Sequence, residues 1–274
     1  MRVTVLVENA ALSPQLGAQH GLSFYIETSA GVILFDMGKD DLFLKNAGTL
    51  GKSIPSVDFA AVSHGHYDHG GGLAAFLAAN DHAPVYIRKS AFEPHLSLRE
   101  SGEAAAIGLD PALLKSGRFV FTAEREEPAD GVTLFSGVTE RAYFSSCNAT
   151  ILMEENGSTV LDDFRHEQSL LLRQDGKMVL VAGCAHGGIV NILRRAEQIL
   201  GRMPDVAIGG FHLHSPSLGG GMSEERIREM GNVLDATGAV FYTGHCTGDG
   251  PFALLQETLG DRLRPMHAGT VIDL

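Results

Sequence analysis

Cysteine is scarce in this 274-residue chain, which carries only Cys147, Cys184 and Cys246. Three cysteines build no disulfide framework, and the odd count suits a reducing compartment. Positive charge is also in short supply. Lysine and arginine number 21 against 33 aspartates and glutamates, for a formal net charge of -12. That balance excludes general binding to nucleic acid or to an anionic membrane surface, both of which want a basic face. An anionic substrate would need local positive charge, which bound metal cations could supply. No apolar run reaches transmembrane length. The opening Met1-Arg2-Val3-Thr4-Val5-Leu6-Val7 is too short and too alternating for the core of a signal peptide. The expectation is a soluble, cytoplasmic protein. Repeats of fixed period and low-complexity tracts are lacking too.

What is present supports a substantial core. Apolar residues make up 44% of the chain and charged residues 20%, which argues against global disorder. Val3 to Val7 reads as a first strand, followed by a loop from Asn9 to Gly21. Ser23–Thr28 and Val32–Asp36 flank Ser29-Ala30-Gly31 as a hairpin. Phe59 to Val62 is a short buried strand, Leu73 to Ala79 a short helix and Val85 to Ile87 a strand. Ser90 to Gly108 and Pro111 to Ser116 look helical, and 124–130 looks like a charged surface link. The stretch from about 88 to 131 is read as an insertion that could cap a site. His82 and His95 stand in it without companions, which suggests solvated or packing roles. Val132 to Phe135 is a strand, and a polar stretch around Glu154-Glu155-Asn156-Gly157 and Asp162-Asp163 follows. Asp175-Gly176 turns a hairpin between Ser169–Arg173 and Met178–Ala182.

Apolar residues at Ile189, Ile192, Leu193, Ala196, Ile199 and Leu200 mark a helix ended by Gly201. Val206 to Ile208 is a strand. Ser223 caps a further helix with Glu224 and Glu225 in its first turn. Val240 to Tyr242 is a strand, and Thr270 to Asp273 is a last edge strand. Strands and hairpins followed by alternating helix and strand suggest two sheets covered by outer helices in one domain, 1–274.

The chemistry concentrates in Ser63-His64-Gly65-His66-Tyr67-Asp68-His69-Gly70-Gly71-Gly72. Four ligand-type side chains in six positions, directly after a buried strand, read as a metal site rather than as scattered core histidines. His64 and His66 share one side of an extended segment. Asp68 and His69 lie where the chain must turn, so a paired-metal arrangement follows. Three further strands run into Gly-rich loops bearing His186, His212 and His245, a pattern of loops converging on one sheet edge. Asp36, at another strand end, reads either as a turn residue or as an acceptor that orients a ligating histidine. Gly219-Gly220-Gly221 reads as a flexible lid, because no Lys-Ser/Thr follows it.

His64-x-His66-x-Asp68-His69 after a short strand resembles the signature of the metallo-β-lactamase superfamily. The resemblance implies an α/β (α+β) fold, a four-layer αβ/βα sandwich of two mixed sheets with outer helices. It also implies two divalent metal ions, with zinc expected and manganese or iron as alternatives. Asp36 matches that family's early strand-end aspartate. Gly183-Cys184 matches the strand that usually ends in a bridging aspartate, and Gly244-His245 matches the final ligand. Gly183-Cys184-Ala185-His186-Gly187-Gly188, Gly209-Gly210-Phe211-His212-Leu213 and Gly244-His245-Cys246-Thr247-Gly248 narrow the resemblance. They are similar to the branch labelled metal-dependent hydrolases or dihydropterin-ribofuranosylaminobenzene-phosphate synthase-like proteins.

The family's usual third histidine of the first metal falls near His166, which lacks the customary flanking Gly and Pro. His186, bracketed by glycines, is preferred. The expected ligands are His64, His66 and His186 for one metal and Asp68, His69 and His245 for the other, with Cys184 left open between a thiolate ligand and a buried strand-end residue. Asp68 also orients the nucleophile, and His212 is expected as a general acid or anion contact. The implied activity is hydrolysis of a small phosphoester, lactone or amide by a metal-bound hydroxide. The alternatives are a synthase-like transferase, with Arg88, Arg141 and Arg165 as scattered phosphate contacts, or a non-catalytic ligand sensor. The expected partner is a small-molecule substrate, with no nucleic acid and no membrane.

Overall fold

The computed structural model describes residues 1–215 and 220–274. It opens with β1 (Arg2–Val7), β2 (Ser23–Thr28), β3 (Gly31–Phe35), α1 (Leu42–Thr49), β4 (Phe59–Ala61), α2 (Tyr67–Gly70), α3 (Leu73–Ala79) and β5 (Val85–Ile87). Nine strands follow without an intervening α-helix: β6 (His95–Leu98), β7 (Ala104–Ala106), β8 (Phe119–Phe121), β9 (Arg125–Ala129), β10 (Val132–Phe135), β11 (Ile151–Glu155), β12 (Ser158–Leu161), β13 (Ser169–Gln174) and β14 (Lys177–Val181). The last third alternates: α4 (Ile189–Leu200), β15 (Val206–Ile208), the two-residue strands β16 (His214–Ser215) and β17 (Gly220–Gly221), α5 (Glu224–Asp235), β18 (Val240–Thr243), α6 (Asp249–Leu259), β19 (Leu263–Pro265) and β20 (Val271–Asp273).

Two seven-stranded sheets result, ordered β20-β1-β2-β3-β4-β5-β8 and β19-β18-β15-β14-β13-β10-β9. Each is antiparallel at one side and parallel at the other. The parallel runs are β3-β4-β5-β8 in the first sheet and β14-β15-β18-β19 in the second. The inner strands of these runs are buried on both faces, and Val179-Leu180-Val181 or Ile33-Leu34-Phe35 accordingly read as unbroken apolar runs. One core lies between the sheets, where Val5, Phe24 and Phe35 meet Leu134, Leu170 and Val181. The outer face of the first sheet packs on Phe43 of α1 and Phe76 of α3. The outer face of the second packs on Ile192, Ile227 and Leu255, from α4, α5 and α6. Four layers, αβ/βα, account for the alternation of buried faces.

Helix α4 covers the span expected from its apolar period and stops at Gly201, whose φ of +78° is a left-handed terminus. Ser223 Oγ accepts the Arg226 N–H at the start of α5. Beyond a single 3-10 turn at Lys89–Phe92, the stretch from 90 to 108 is not helical. Pro94 and Gly102 interrupt it, and His95 and Ser97 alternate as buried positions of β6, which pairs with β7 and β11 in a four-stranded sheet, β12-β11-β6-β7. Nor is 124–130 a simple link. It holds β9, an edge strand of the second sheet, where charged side chains and Pro128 are tolerated because one edge faces solvent. The 88–131 stretch thus gives edge strands to both large sheets and half of the small one. Gly219 of the expected lid lies outside the described residues, while Gly220–Gly221 pairs with His214–Ser215.

Candidate metal centre

The parallel strands of both sheets end along one rim, and their exits carry the chemistry. Asp36 follows β3, Ser63-His64 follow β4, Cys184 and His186 follow β14, His212 follows β15 and His245 follows β18. Several exits are strained. Asp36 (φ +59°), Ala185 (+57°), His212 (+48°) and His245 (+51°) occupy the left-handed region without being glycine. Each costs of order 1 kcal/mol or more, and such residues cluster where a side chain must be aimed.

One end of four of the histidine rings is tied down. Asp36 accepts the Ser63 N–H through Oδ1 (2.7 Å), and its Oδ2 accepts the Ser63 hydroxyl (2.7 Å) and His69 Nδ1 (2.7 Å). Ser63 Oγ, its own proton committed to Asp36, is left to accept from His64 Nδ1 at 2.8 Å. Asn148 Oδ1 meets His186 Nδ1 at 3.0 Å, and Asn9 Oδ1 meets His245 Nδ1 at 3.1 Å. With protons on Nδ1, these four imidazoles direct bare Nε2 lone pairs inward, as metal-ligating histidines do.

The inward ends form two clusters that share Cys184. In the first, donor atoms of His64, His186 and Cys184 lie within 4.8 Å of one another. Nε2 of His64, of His66 and of His186 is buried without any hydrogen-bond partner. Three orphaned lone pairs on adjoining rings are costly in a folded protein unless a cation or water meets them, and their convergence suits a cation. Burial, reinforced by neighbouring imidazoles, holds His64 and His186 well below the ordinary histidine value, so both rings are neutral and able to ligate. The ring of His66 stands 4.5 Å from that of His64 and 4.9 Å from that of His186. It also adjoins a further group, His95, Asp162 and His166.

The second cluster is Asp68, His69, Cys184 and His245. His69 Nε2 lies 3.2 Å from Cys184 Sγ, 3.3 Å from His245 Nε2 and 3.6 Å from Asp68 Oδ2, and His245 Nε2 is 3.3 Å from Asp68 Oδ2. A tetrahedral ion with bonds of about 2.0–2.3 Å would set its ligands about 3.3–3.8 Å apart, so the four atoms fit such an ion. Burial would raise the Asp68 pKa, but His69, His20 and His245 around it hold the carboxylate well below its usual range. Burial also opposes charge on His69, yet Asp36 and Asp68 outweigh it and raise its pKa. The Cys184 thiol is pushed well up by burial, so it would ligate only where a cation stabilises the thiolate.

The structure thus brings together His64, His66, Asp68, His69, His186 and His245, and adds Cys184. His212 is adjacent, its ring 4.1 Å from that of His186, with both ring nitrogens buried and unpartnered. His166 is occupied elsewhere. Its Nδ1 accepts the Gly65 N–H at 2.9 Å and its Nε2 faces Asp162 at 3.2 Å, which leaves no lone pair to offer. His95 takes the packing alternative, buried with Nδ1 2.8 Å from the same Asp162 oxygen, though not without companions. His82 is exposed, as expected. Sequence reasoning missed His20, whose Nε2 is 3.2 Å from Asp68 Oδ2 and whose ring stacks on His245. It also missed Glu167, which accepts the His186 N–H (2.6 Å) and the Gly187 N–H (2.8 Å). Burial outweighs both bonds and pushes its pKa up to about 7. A Glu beside His166 in the sequence was the available signal.

An αβ/βα sandwich with histidine, aspartate and cysteine donors gathered on one strand-end rim defines a metal-binding class of fold. The chain belongs to the metallo-beta-lactamase superfamily, whose family model matches residues 16–219. It is 29% identical over 286 residues to the Methanocaldococcus jannaschii protein named 7,8-dihydropterin-6-methyl-4-(beta-D-ribofuranosyl)-aminobenzene-5'-phosphate synthase, covering 98% of this chain and 95% of that one. Among solved structures it resembles Tm1679, described as a metal-dependent hydrolase of the beta-lactamase superfamily. That likeness has a TM-score of 0.81 and 27% identity, over 100% of this chain and 99% of the other. Zinc-bound PqqB from Methylobacterium extorquens shares the fold at a TM-score of 0.57 and 12% identity, over the full length of both chains. Among the described residues no helix is long and apolar enough to cross a membrane.

Proposed function

We propose that this chain is a metal-dependent hydrolase of small phosphoester, lactone or amide substrates, with two divalent ions, zinc first among them. The observation that carries the reading is the set of four imidazoles whose Nδ1 atoms are anchored while their Nε2 atoms converge on one rim. His64, His66 and His186 would hold one ion, and Asp68, His69, His245 and a shared Cys184 the other. Such ions supply Lewis-acid polarisation and lower the pKa of bound water toward neutrality.

The remaining groups supply position and protons. Asp68, kept ionised and braced by His20 at Oδ2, can accept a hydrogen bond from the attacking water through its other oxygen. The unpartnered ring nitrogens of His212 can donate to the departing group. Both residues line an open cavity of about 180 Å³, room for a small reacting group. The likeness to Tm1679 over the whole chain supports a hydrolase.

The relative named as a synthase favours a second reading, a synthase-like transferase that uses the same donors. Metal analysis of protein purified without added metal, followed by a panel of phosphodiester, lactone and amide substrates, separates the two. Under the hydrolase reading His64→Ala loses metal and lowers turnover by about three orders of magnitude or more. A His64→Ala protein that keeps both metal and activity refutes it. Turnover of a labelled phosphoribosyl donor with an aminobenzoate acceptor, and of nothing on the panel, transfers the assignment to the synthase.

A further inference from the structure

The candidate metal donors form only the floor of their cavity. One wall comes from α2 and the small four-stranded sheet, which contribute Tyr67, Ser97, Ile107, Ile151 and Arg99. Arg99 stands directly after β6, at the start of the turn into β7. Its backbone is fixed there, with the Arg99 N–H donating to Glu103 O and the Gly102 N–H donating to Arg99 O, both at 2.8 Å. The side chain is exposed and forms no ion pair among the described residues. On a chain with a net charge of -12 that is unusual placement for a cation.

The arginines expected from sequence to meet phosphate are all engaged elsewhere. Arg88 Nη1 donates to Thr122 O at 2.6 Å and its Nε to Arg165 O. Arg141 donates to Val138 O, Glu140 O and Asp163 O. Arg165 pairs with Glu155 at 2.9 Å and with Glu93 at 3.5 Å. None of the three lines the cavity. Arg99 does, and Lys39 adds a second cation nearby, its Nζ 5.9 Å from the Tyr67 ring centroid.

We propose that Arg99 recognises an anionic tail, a phosphate or carboxylate, on the substrate whose reacting bond reaches the metal floor. The inference deepens the hydrolase reading and rests on its placement of the substrate in this cavity. A guanidinium without a carboxylate partner keeps its planar fork of donors free for two parallel hydrogen bonds to an oxyanion. A chain with a net charge of -12 repels small anions overall, so an unpaired cation on the cavity wall favours the entry of those it can meet. The small sheet then acts as a specificity wall, and its turn at 99–103 is the part that selects charge.

Calorimetric binding to the metal-loaded full chain tests this with phenyl phosphate, benzoate and neutral phenol as probes. Arg99→Ala should weaken phenyl phosphate or benzoate by about ten- to a hundredfold, the range for a hydrogen bond to a charged group. Phenol binding and metal content should not change. Arg99→Lys should recover part of the loss, and Arg165→Ala, which removes an arginine outside the cavity, should lose nothing. The anion that suffers the larger loss identifies the tail as phosphate or carboxylate. Unchanged affinity of Arg99→Ala for both anions overturns the proposal. Arg99-dependent binding in a protein that turns over no ester, lactone or amide upholds this inference while the hydrolase reading fails.

Discussion

His166 and His186 have the same side chain and similar burial, yet their hydrogen bonds assign them different work. His186 has Asn148 on Nδ1 and nothing on Nε2, whereas His166 is bonded at both ends. His186→Ala should therefore lower metal stoichiometry and weaken affinity by orders of magnitude. His166→Ala should leave stoichiometry intact and weaken affinity by about 10–100-fold, the usual effect of losing an outer partner. Equilibrium dialysis with zinc and manganese measures both, and equal losses would reject the distinction. Asp162 binds His166 and His95 through one oxygen and the Phe164 N–H through the other. Burial would raise its pKa, but the two imidazoles hold it far below the usual carboxylate range. A carboxylate depressed on folding adds stability that is present above its unfolded pKa and fades as pH falls toward the folded value. The melting-temperature gap between wild type and Asp162→Asn should thus narrow from about pH 6 to about pH 3. A gap that widens on acidification contradicts the assignment.

Among elements, those with a local mark, whether a helical period, a turn signal or an unbroken apolar run, were legible, and those held by distant pairing were not. The stripe of α4 and the Asp175-Gly176 hairpin followed from period and turn chemistry alone. So did the glycine-flanked histidines at strand ends, because metal ligands and tight turns both leave local marks. β6, with Ala-rich β7 beside it, had no such mark. Its strand character comes from pairing with β11, more than fifty residues later, and non-local pairing overrides weak local preference. His95 was illegible for the same reason, since its partner Asp162 lies across that pairing. The two large sheets meet at a point that sequence could not show either. Gly183, leaving β14, lies against Ser63, leaving β4, and a Cβ on it would collide with Ser63 Oγ and come within 3.1 Å of His64 Nδ1. Gly183→Ala should cost about 1–3 kcal/mol, as overpacking does, and should weaken metal binding by displacing the Asp36–Ser63–His64 network. Chemical denaturation with parallel metal analysis checks it, and a neutral substitution would show that the two rims are not in register there.

At the scale of the molecule, metal binding and folding should be one equilibrium. The strand exits of two separate sheets bring the donor atoms together, so the unfolded chain offers no comparable site. Without an ion, the protein buries the unpartnered Nε2 atoms of His64, His66 and His186, among others, and keeps these three rings neutral. Histidines whose folded pKa is lowered disfavour the native state where the unfolded chain would protonate them. Stability of the metal-free protein should therefore rise with pH through about 6.5, the ordinary histidine value, and level off above it. An ion that binds only the native state adds about 2.7 kcal/mol at a hundred times its dissociation constant. For a domain of this size that raises the melting temperature by about 5 °C or more. Thermal melts of chelator-treated protein, titrated with zinc and with manganese at about pH 6 and about pH 8, should show a metal-dependent rise. Competing protonation makes that rise need more metal at the lower pH. The His64→Ala protein, left with the Asp68–His69–Cys184–His245 group alone, should show a smaller metal-dependent rise than the wild type. A wild type whose melting is indifferent to both chelator and metal would mean that the orphaned nitrogens are met by something other than a cation.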